Sequence, residues 1–392
     1  MKRSPLAAAT IAATATATVA LVLPLLAAAP ATAAERPELR VTVVQSGLQH
    51  PWDLAFLPDG SMLVTERDRK RLTLRTPSGR TRTIFTAPRN MWSGGETGLM
   101  AVEPARDFAS TREFMTCHGY RKGGVQDVRV VRWRLNRAAT SATYVRTLVS
   151  GLPSTSGRHG GCALVTGSGQ QLYIGTGDAA VGRNPQRLTS GGGKVLRVDA
   201  RTGRAVRSNP FIRSSSRMKQ RVFTYGHRNV QGLARRGDGT IWSVEQGSYR
   251  DDEVNRLSKK GNYGWNPVPR AAGDATYNEG ADSPMTDHRM RGGQRSARWR
   301  SGATTIATSG GTFVTAAGWR GWKGSLAVAT LKDESLRLLR FSRSGSLRET
   351  WTPAALDGTY GRLRAAVQGL DGALYLTTSN GSDDKVLRVT AR

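Results

Sequence analysis

Apolar and polar residues alternate with a period of two through much of the chain, and the alternation comes in look-alike blocks. Four of them are "LAFLPDGSMLVTE" (54–66), "LVTGSGQQLYIGTGD" (164–178), "LARRGDGTIWSVEQG" (233–247) and "VQGLDGALYLTTSNG" (367–381). Each pairs a short segment with a turn on Asp-Gly or Ser-Gly and then an alternating strand. Asp-Gly supplies the positive backbone dihedrals of a tight hairpin, and alternation turns one face of the strand into a core. A further strand follows in "RLTLRTPSG", "KVLRVDARTG", "LRLLRFSRSG" and "KVLRVTAR". Helical periodicity is weak throughout. Antiparallel units of roughly 60 residues fit into the chain about six times, which predicts an all-β fold, a six-bladed β-propeller of four-stranded antiparallel blades. Two packed sheets are the alternative. The irregular stretch 268–303, rich in Gly, Arg, Asp and Pro, reads as a long surface insertion.

The ends and the composition narrow the class. Residues 1–34 begin with Lys2 and Arg3, continue through Ala, Thr, Leu and Val, and finish on "APATAA", the pattern of a secretory signal peptide. Residues 35–392 are then expected to be one propeller domain, exported and without stable membrane insertion, since no later apolar run reaches the ~18 residues of a membrane span. The formal net charge is +29, spread along the chain. Nucleic-acid binding predicts a concentrated basic stripe or a known module, and neither is visible. The two cysteines, Cys117 and Cys162, cannot build a four-ligand metal site. In an exported chain an isolated pair is expected to be bridged.

In a propeller, loops at one end of the channel converge from every blade, so polar stretches far apart in sequence can line one pocket. The candidates are "SGRHGG" (156–161), "GHRNVQG" (226–232), "EQGSYRDDEVN" (245–255), "GRLRAAVQG" (361–369) and, more weakly, "ATLKDES" (329–335). His159 precedes two glycines, so its imidazole suits either a proton acceptor or a structural role. Glu245, Asp251, Asp252 and Glu253 form the densest acid cluster, suited to calcium or to a solvated turn paired with arginines. Arg362 and Arg364 alternate and are expected to share one face of a strand. With Lys332 they suit an anion clamp or plain surface charge.

Together these blocks resemble the soluble, pyrroloquinoline quinone (PQQ)-dependent sugar dehydrogenases, the glucose/sorbosone or aldose dehydrogenase family. "GLQHPWDLAFLPDGSMLVTER", "SGGETGLMAVEPARDF", "RHGGCAL…LYIGTGD", "YGHRNVQGLA", "VEQGSYRDDEVNRL…GNYGW" and "GRLRAAVQGLDGALYLTT" follow in the family's order over nearly all of residues 40–390. The resemblance implies oxidation of aldoses at the anomeric carbon to lactones, with the quinone over the channel and an external electron acceptor. It implies that His159 is the general base, with Arg228 and Asn229 beside the reacting quinone carbonyl. Gln231 would touch the cofactor, and Lys332, Arg362 and Arg364 would meet its carboxylates. One Ca2+ would rest on the carbonyls of Gly247 and Ser248. A second would use Glu253 and the carbonyl of Tyr263.

The sequence also departs from that pattern. Ser248 stands where the family often has proline, and Ala163 where an arginine is common. Arg158 occupies a slot that holds a sugar-contacting acid in glucose-oxidising members, and Glu96 is a candidate replacement. These changes leave the redox residues in place and bear on sugar identity, so Arg158 and Glu96 are expected at the substrate. A monomer is expected.

Overall fold

The Asp-Gly and Ser-Gly turns mark the same corner of four different sheets. Asp59-Gly60 joins Pro51–Phe56 to Met62–Glu66, and Ser168-Gly169 joins Ala163–Thr166 to Gln171–Gly175. Asp238-Gly239 joins Val230–Arg235 to Ile241–Glu245, and Asp371-Gly372 joins Leu363–Gln368 to Leu374–Thr378. Two further sheets lack this signature. One turns through a short helix, Phe108–Thr111, and the other through the 3-10 turn Ala317–Trp322. The repeat therefore showed itself four times although the fold contains it six times. The computed structural model describes residues 1, 34–268, 277–280 and 283–392. The expected export signal lies almost wholly outside the described residues.

The fold is a six-bladed β-propeller of antiparallel sheets. The innermost strands touch in a closed ring: Pro51–Phe56, Leu99–Pro104, Ala163–Thr166, Val230–Arg235, Thr308–Phe313, Leu363–Gln368 and back to the first. In the second blade the extra piece Met91–Trp92 pairs with the same neighbour as Leu99–Pro104, further along it. Close approach at the axis requires small residues. A Cβ on Gly232 would come within 2.6 Å of the Ser309 carbonyl oxygen, and one on Gly310 within 2.8 Å of that of Arg364.

The last blade takes its outer strand from the other end of the chain. Leu39–Leu48 pairs antiparallel with Asp384–Ala391, from Leu39 opposite Ala391 to Leu48 opposite Asp384. This ladder closes the ring by holding the two ends of the folded chain in one sheet. Apolar clusters fill the spaces between successive blades, such as Leu63, Leu72, Phe114 and Trp133 between the first and second. The middle strands are buried on both faces, so Met62–Glu66 and Leu326–Thr330 have no exposed residue.

Cys117 and Cys162 form a disulfide with Cα atoms 6.3 Å apart. It joins the second blade to the segment just before the first strand of the third, inside a shared apolar cluster. The expected surface insertion is corrected in two respects. It contains the outer strand of the fourth blade, Trp299–Arg300, and Ser283, Met285, Thr286 and Asp287 are buried. Residues 269–276 and 281–282 lie outside the described residues.

The bridge closes a loop of 45 residues in sequence separation, so Cys117→Ala with Cys162→Ala is expected to cost about 2–4 kcal/mol. Denaturant unfolding under non-reducing conditions measures the difference.

Candidate active site

Antiparallel blades send their loops to two ends. The Asp-Gly turns occupy one end. The other receives the segments that enter each innermost strand and those that join second to third strands. His159, Arg228, Asn229 and Arg362 lie on entering segments, while Asp178, Gly247, Ser248 and Lys332 lie on the joining ones. The propeller thus sorts the chemistry-bearing loops away from the hairpin turns.

At the third blade the imidazole of His159 is buried, at 3% exposure. Its Nδ1 is 2.8 Å from Asp178 Oδ1. Asp178 Oδ2 also accepts from the Trp265 indole at 2.8 Å and lies 3.0 Å from the Tyr277 hydroxyl. Burial raises the Asp178 pKa, but the His159 hydrogen bond and charge, then Arg228 and Trp265, hold it below the usual carboxylate range. In the neutral ring, an anionic acceptor at Nδ1 keeps the proton on that nitrogen and puts the lone pair on Nε2. The geometry is that of a base oriented by a carboxylate.

Arg228 is buried beside this pair. Its Nε donates to Glu279 Oε1 at 2.8 Å, its Nη2 lies 2.6 Å from the same oxygen, and Nη1 donates to the Gln246 carbonyl at 3.1 Å. Burial opposes its charge, but Glu279, Tyr277 and Asp178 raise its pKa above the ordinary value. Glu279 Oε1 is 3.9 Å from His159 Nε2 and 2.9 Å from the Tyr277 hydroxyl, and its Oε2 accepts from Arg158. Asn229 donates through Nδ2 to Glu96 Oε2 at 2.9 Å and accepts from the Gly161 amide at 3.2 Å. Arg158 and Glu96, both expected at a substrate, therefore hold Glu279 and Asn229.

A second group lies on the axis. Arg364 is buried with its guanidinium 3.8 Å over the Trp52 ring, and it donates to Gln231 Oε1 at 2.9 Å and Ser309 Oγ at 3.3 Å. Its Nε is buried without a partner. Burial, with the charge of Arg67 next, pushes its pKa down to about 9. Gln231, Arg364 and Trp52 line a cavity of about 410 Å³ to which all six blades contribute. The expectation that Arg362 and Arg364 share a strand face is corrected. The strand starts at Leu363, so Arg362 precedes it and is exposed while Arg364 is buried. Lys332 is exposed on the fifth blade's loop.

The acid cluster is neither a solvated turn nor, among the described residues, part of a group of three metal-binding side chains. Asp252 is buried, accepting from the amides of Gly247, Ile306 and Ala307 at 2.9, 2.6 and 3.1 Å. Glu245 is buried against His227 Nδ1 at 2.6 Å, Asp251 approaches Arg250 at 3.7 Å and Glu253 approaches Arg300 at 3.5 Å. Burial and then Glu245 push the Glu253 pKa up to about 8. Beside these two carboxylates, Asn255 Oδ1 is buried without a donor. Thr286 donates to Glu253 Oε1 at 2.9 Å and packs against Gly264, next to Tyr263. The Tyr263 side chain stacks on His227 and donates to the Arg256 carbonyl.

The comparisons with known proteins show the family and the fold. The family model described as glucose/sorbosone dehydrogenase matches residues 48–388. The chain belongs to that family. Aldose sugar dehydrogenase YliI of Escherichia coli K12 is 31% identical over 376 residues, covering 93% of this chain and 95% of that one. The PQQ-bound aldose sugar dehydrogenase of Streptomyces coelicolor is 28% identical with a TM-score of 0.73, covering 91% of this chain and all of the other. The apo soluble aldose sugar dehydrogenase of E. coli superimposes with a TM-score of 0.78 at 26% identity, over 91% of this chain and all of that one.

Asp178, Trp265, Tyr277 and Glu279 escaped the reading of the sequence. Asp178 was visible as the end of "LYIGTGD", a polar residue after a buried strand. Tyr277 and Glu279 had no signal, because their approach depends on the excursion between the third and fourth strands of the fourth blade. Asp178→Asn keeps the shape but no longer fixes the His159 tautomer. Dehydrogenase turnover is expected to fall on the order of 10²–10⁴-fold with little change in thermal midpoint, measured by steady-state kinetics and calorimetry on the same preparations.

Proposed function

We propose that the protein is a calcium- and PQQ-dependent dehydrogenase that oxidises aldoses at the anomeric carbon to lactones and passes electrons to an external acceptor. The observation that carries this reading is the His159–Asp178 pair with its bare Nε2 directed at the Arg228 cluster. A binding propeller has no use for an oriented base beside a buried guanidinium. Export belongs to the same proposal and is supported by the signal-like pattern of the N-terminal sequence. No helix among the described residues is long and apolar enough to cross a membrane.

The residues present fit both implied groups. A buried guanidinium with an unpartnered Nε, close enough to Arg67 and Arg362 to be depressed by their charge, calls for an anion, and PQQ carries three carboxylates. Arg364, Arg362 and Lys332 would hold them, with Gln231 at the channel mouth and Arg228 and Asn229 at the reacting oxygen. The carbonyls of Gly247 and Ser248 would hold one calcium, on a loop that Asp252 braces. Glu253 and the Tyr263 carbonyl would hold the other, beside the orphaned Asn255 oxygen; hard oxygen donors of this kind suit calcium. When bound, the quinone supplies the hydride-accepting carbon and its calcium a Lewis acid.

The chain's own residues do the rest. His159 Nε2 takes the proton of the anomeric hydroxyl, and Asp178 stabilises the imidazolium that forms. Arg228 and Asn229 place donors where negative charge develops on oxygen, which is most effective in a site closed to water. Glu96 keeps the Asn229 amide turned, and Arg158 anchors Glu279.

Reconstitution tests the assignment. The mature protein, freed of cofactor and supplied with calcium and PQQ, is expected to reduce an artificial acceptor in the presence of an aldose. Neither addition alone suffices, and His159→Ala loses most of the activity. Hydrolysis of lactones with calcium alone, or no response to any aldose, contradicts the reading. Glu279 competes with a cofactor oxygen for Arg228. Glu279→Gln is therefore expected to tighten PQQ binding roughly tenfold, the scale of one charged hydrogen bond, as read from an absorbance titration without sugar.

A further inference from the structure

Lys194 begins the third strand of the third blade and is fully buried. Its Nζ donates to three carbonyls, those of Asn184 at 2.6 Å, Pro185 at 2.9 Å and Gly192 at 2.6 Å. Among the described residues no carboxylate forms a salt bridge with it. An ammonium has three protons and no acceptor, so three carbonyls saturate it in the way that they would saturate a small metal cation. A neutral amine would leave one carbonyl without its donor. That preference for the charged form opposes burial, which draws the pKa down to about 7, and Asp178 pulls in the same direction as the carbonyls.

Both halves of the site hang on this cage. Asn184, one wall, donates through Nδ2 to the Asp178 carbonyl at 2.8 Å. Pro185, the second, accepts from the Gly226 amide at 3.0 Å, at the start of the segment that carries Arg228 and Asn229. Gly192, the third, precedes Gly193, whose amide donates to the Gly177 carbonyl at 2.9 Å and whose own carbonyl accepts from His227 at 3.2 Å. The packing there leaves no slack, since a Cβ on Gly193 would lie 2.4 Å from the His227 carbonyl oxygen. The loop between Gly175 and Lys194 has no regular strand or helix of its own. The Gly177–Asn229 bridge and the Asp178 amide, which donates to the Arg228 carbonyl at 2.8 Å, tie it directly to the neighbouring segment, and the Lys194 cage holds the rest of it.

We propose that Lys194 is a positioning residue: its ammonium acts as an internal cation that clamps the Asp178 loop to the Arg228–Asn229 segment and so keeps the base, its orienting carboxylate and the oxygen-binding donors in register. The consequence for turnover rests on the dehydrogenase reading. The consequence for the His159–Asp178 hydrogen bond does not, because it concerns the protein without cofactor or sugar.

Two variants and two readouts test the clamp. Lys194→Met keeps the length and removes the charge; Lys194→Ala opens a space that an ammonium ion can enter. In the cofactor-free protein, the downfield proton resonance of His159 Nδ1–H is expected in the wild type and lost in both variants. In the loaded enzyme, kcat is expected to fall on the order of 100-fold, the cost of a misplaced catalytic group, while KM changes little. Ammonium chloride is expected to restore both readouts in Lys194→Ala, and sodium chloride at equal ionic strength to restore neither. If Lys194→Met fails to fold, Lys194→Ala decides. Retention of the resonance and of kcat without ammonium, or recovery that sodium matches or ammonium fails to produce, overturns the clamp. A wild type that shows the resonance but oxidises no aldose overturns the dehydrogenase reading and leaves the clamp standing.

Discussion

The antiparallel ladder between Leu39–Leu48 and Asp384–Ala391 joins the two ends of the folded chain into one sheet, and every distance across the axis presupposes that closure. Innermost strands can meet around a channel only if the sixth sheet returns to the first. Arg364 over Trp52 is a contact between those two blades, and Arg364 to Gln231 reaches from the sixth to the fourth. An open fan of the same sheets would contain every residue of the site and no site.

Closure also explains how so basic a chain tolerates its charge. Exposed pairs such as Lys385 with Asp383 contribute about 0–1 kcal/mol each and cannot hold a ring together. The apolar clusters between blades do that. Some of the charge is buried where the loops meet. Asp178, Arg228, Glu279 and Lys194 are largely removed from water, each with its hydrogen-bonding capacity directed at another group. Buried charges are costly unless so matched, and matching them makes the geometry rigid. The site we propose needs that rigidity, because a base and an oxygen-binding pair displaced by a fraction of an ångström would no longer serve the same reacting atoms.

Similar folds with unlike sites are common, so the argument for function rests on the groups themselves. His159 by itself was equally a structural histidine. Our proposal favours the catalytic role on Asp178 at its Nδ1, with Glu279 and its partner Arg228 on the Nε2 side. The departures noted in the sequence fall into place by the same route. Arg158, found where an acid stands in glucose-oxidising relatives, brings the carboxylate of Glu279 to the site from another blade's excursion. Glu96 spends its charge on orienting Asn229.

The sequence by itself determined the strands, the turns and the class of fold, because alternation and Asp-Gly corners are local signals written within a dozen residues of one another. It also singled out the loops that carry the proposed site, since His159, Arg228 and Asn229 stand in polar stretches just before an innermost strand and Gln231 lies inside one. It was blind to the second and fifth blades' turns, which use Phe108–Thr111 and Ala317–Trp322 in place of the glycine corner. Only the tertiary structure decided that Arg364 and not Arg362 goes under the channel mouth. It also showed that Asp252 braces a loop, and that Tyr277 and Glu279 arrive beside His159 from an excursion that reads as surface. The reason is physical: a hydrogen bond between residues more than a hundred positions apart depends on where closure of the ring puts their backbones, and no local pattern records that.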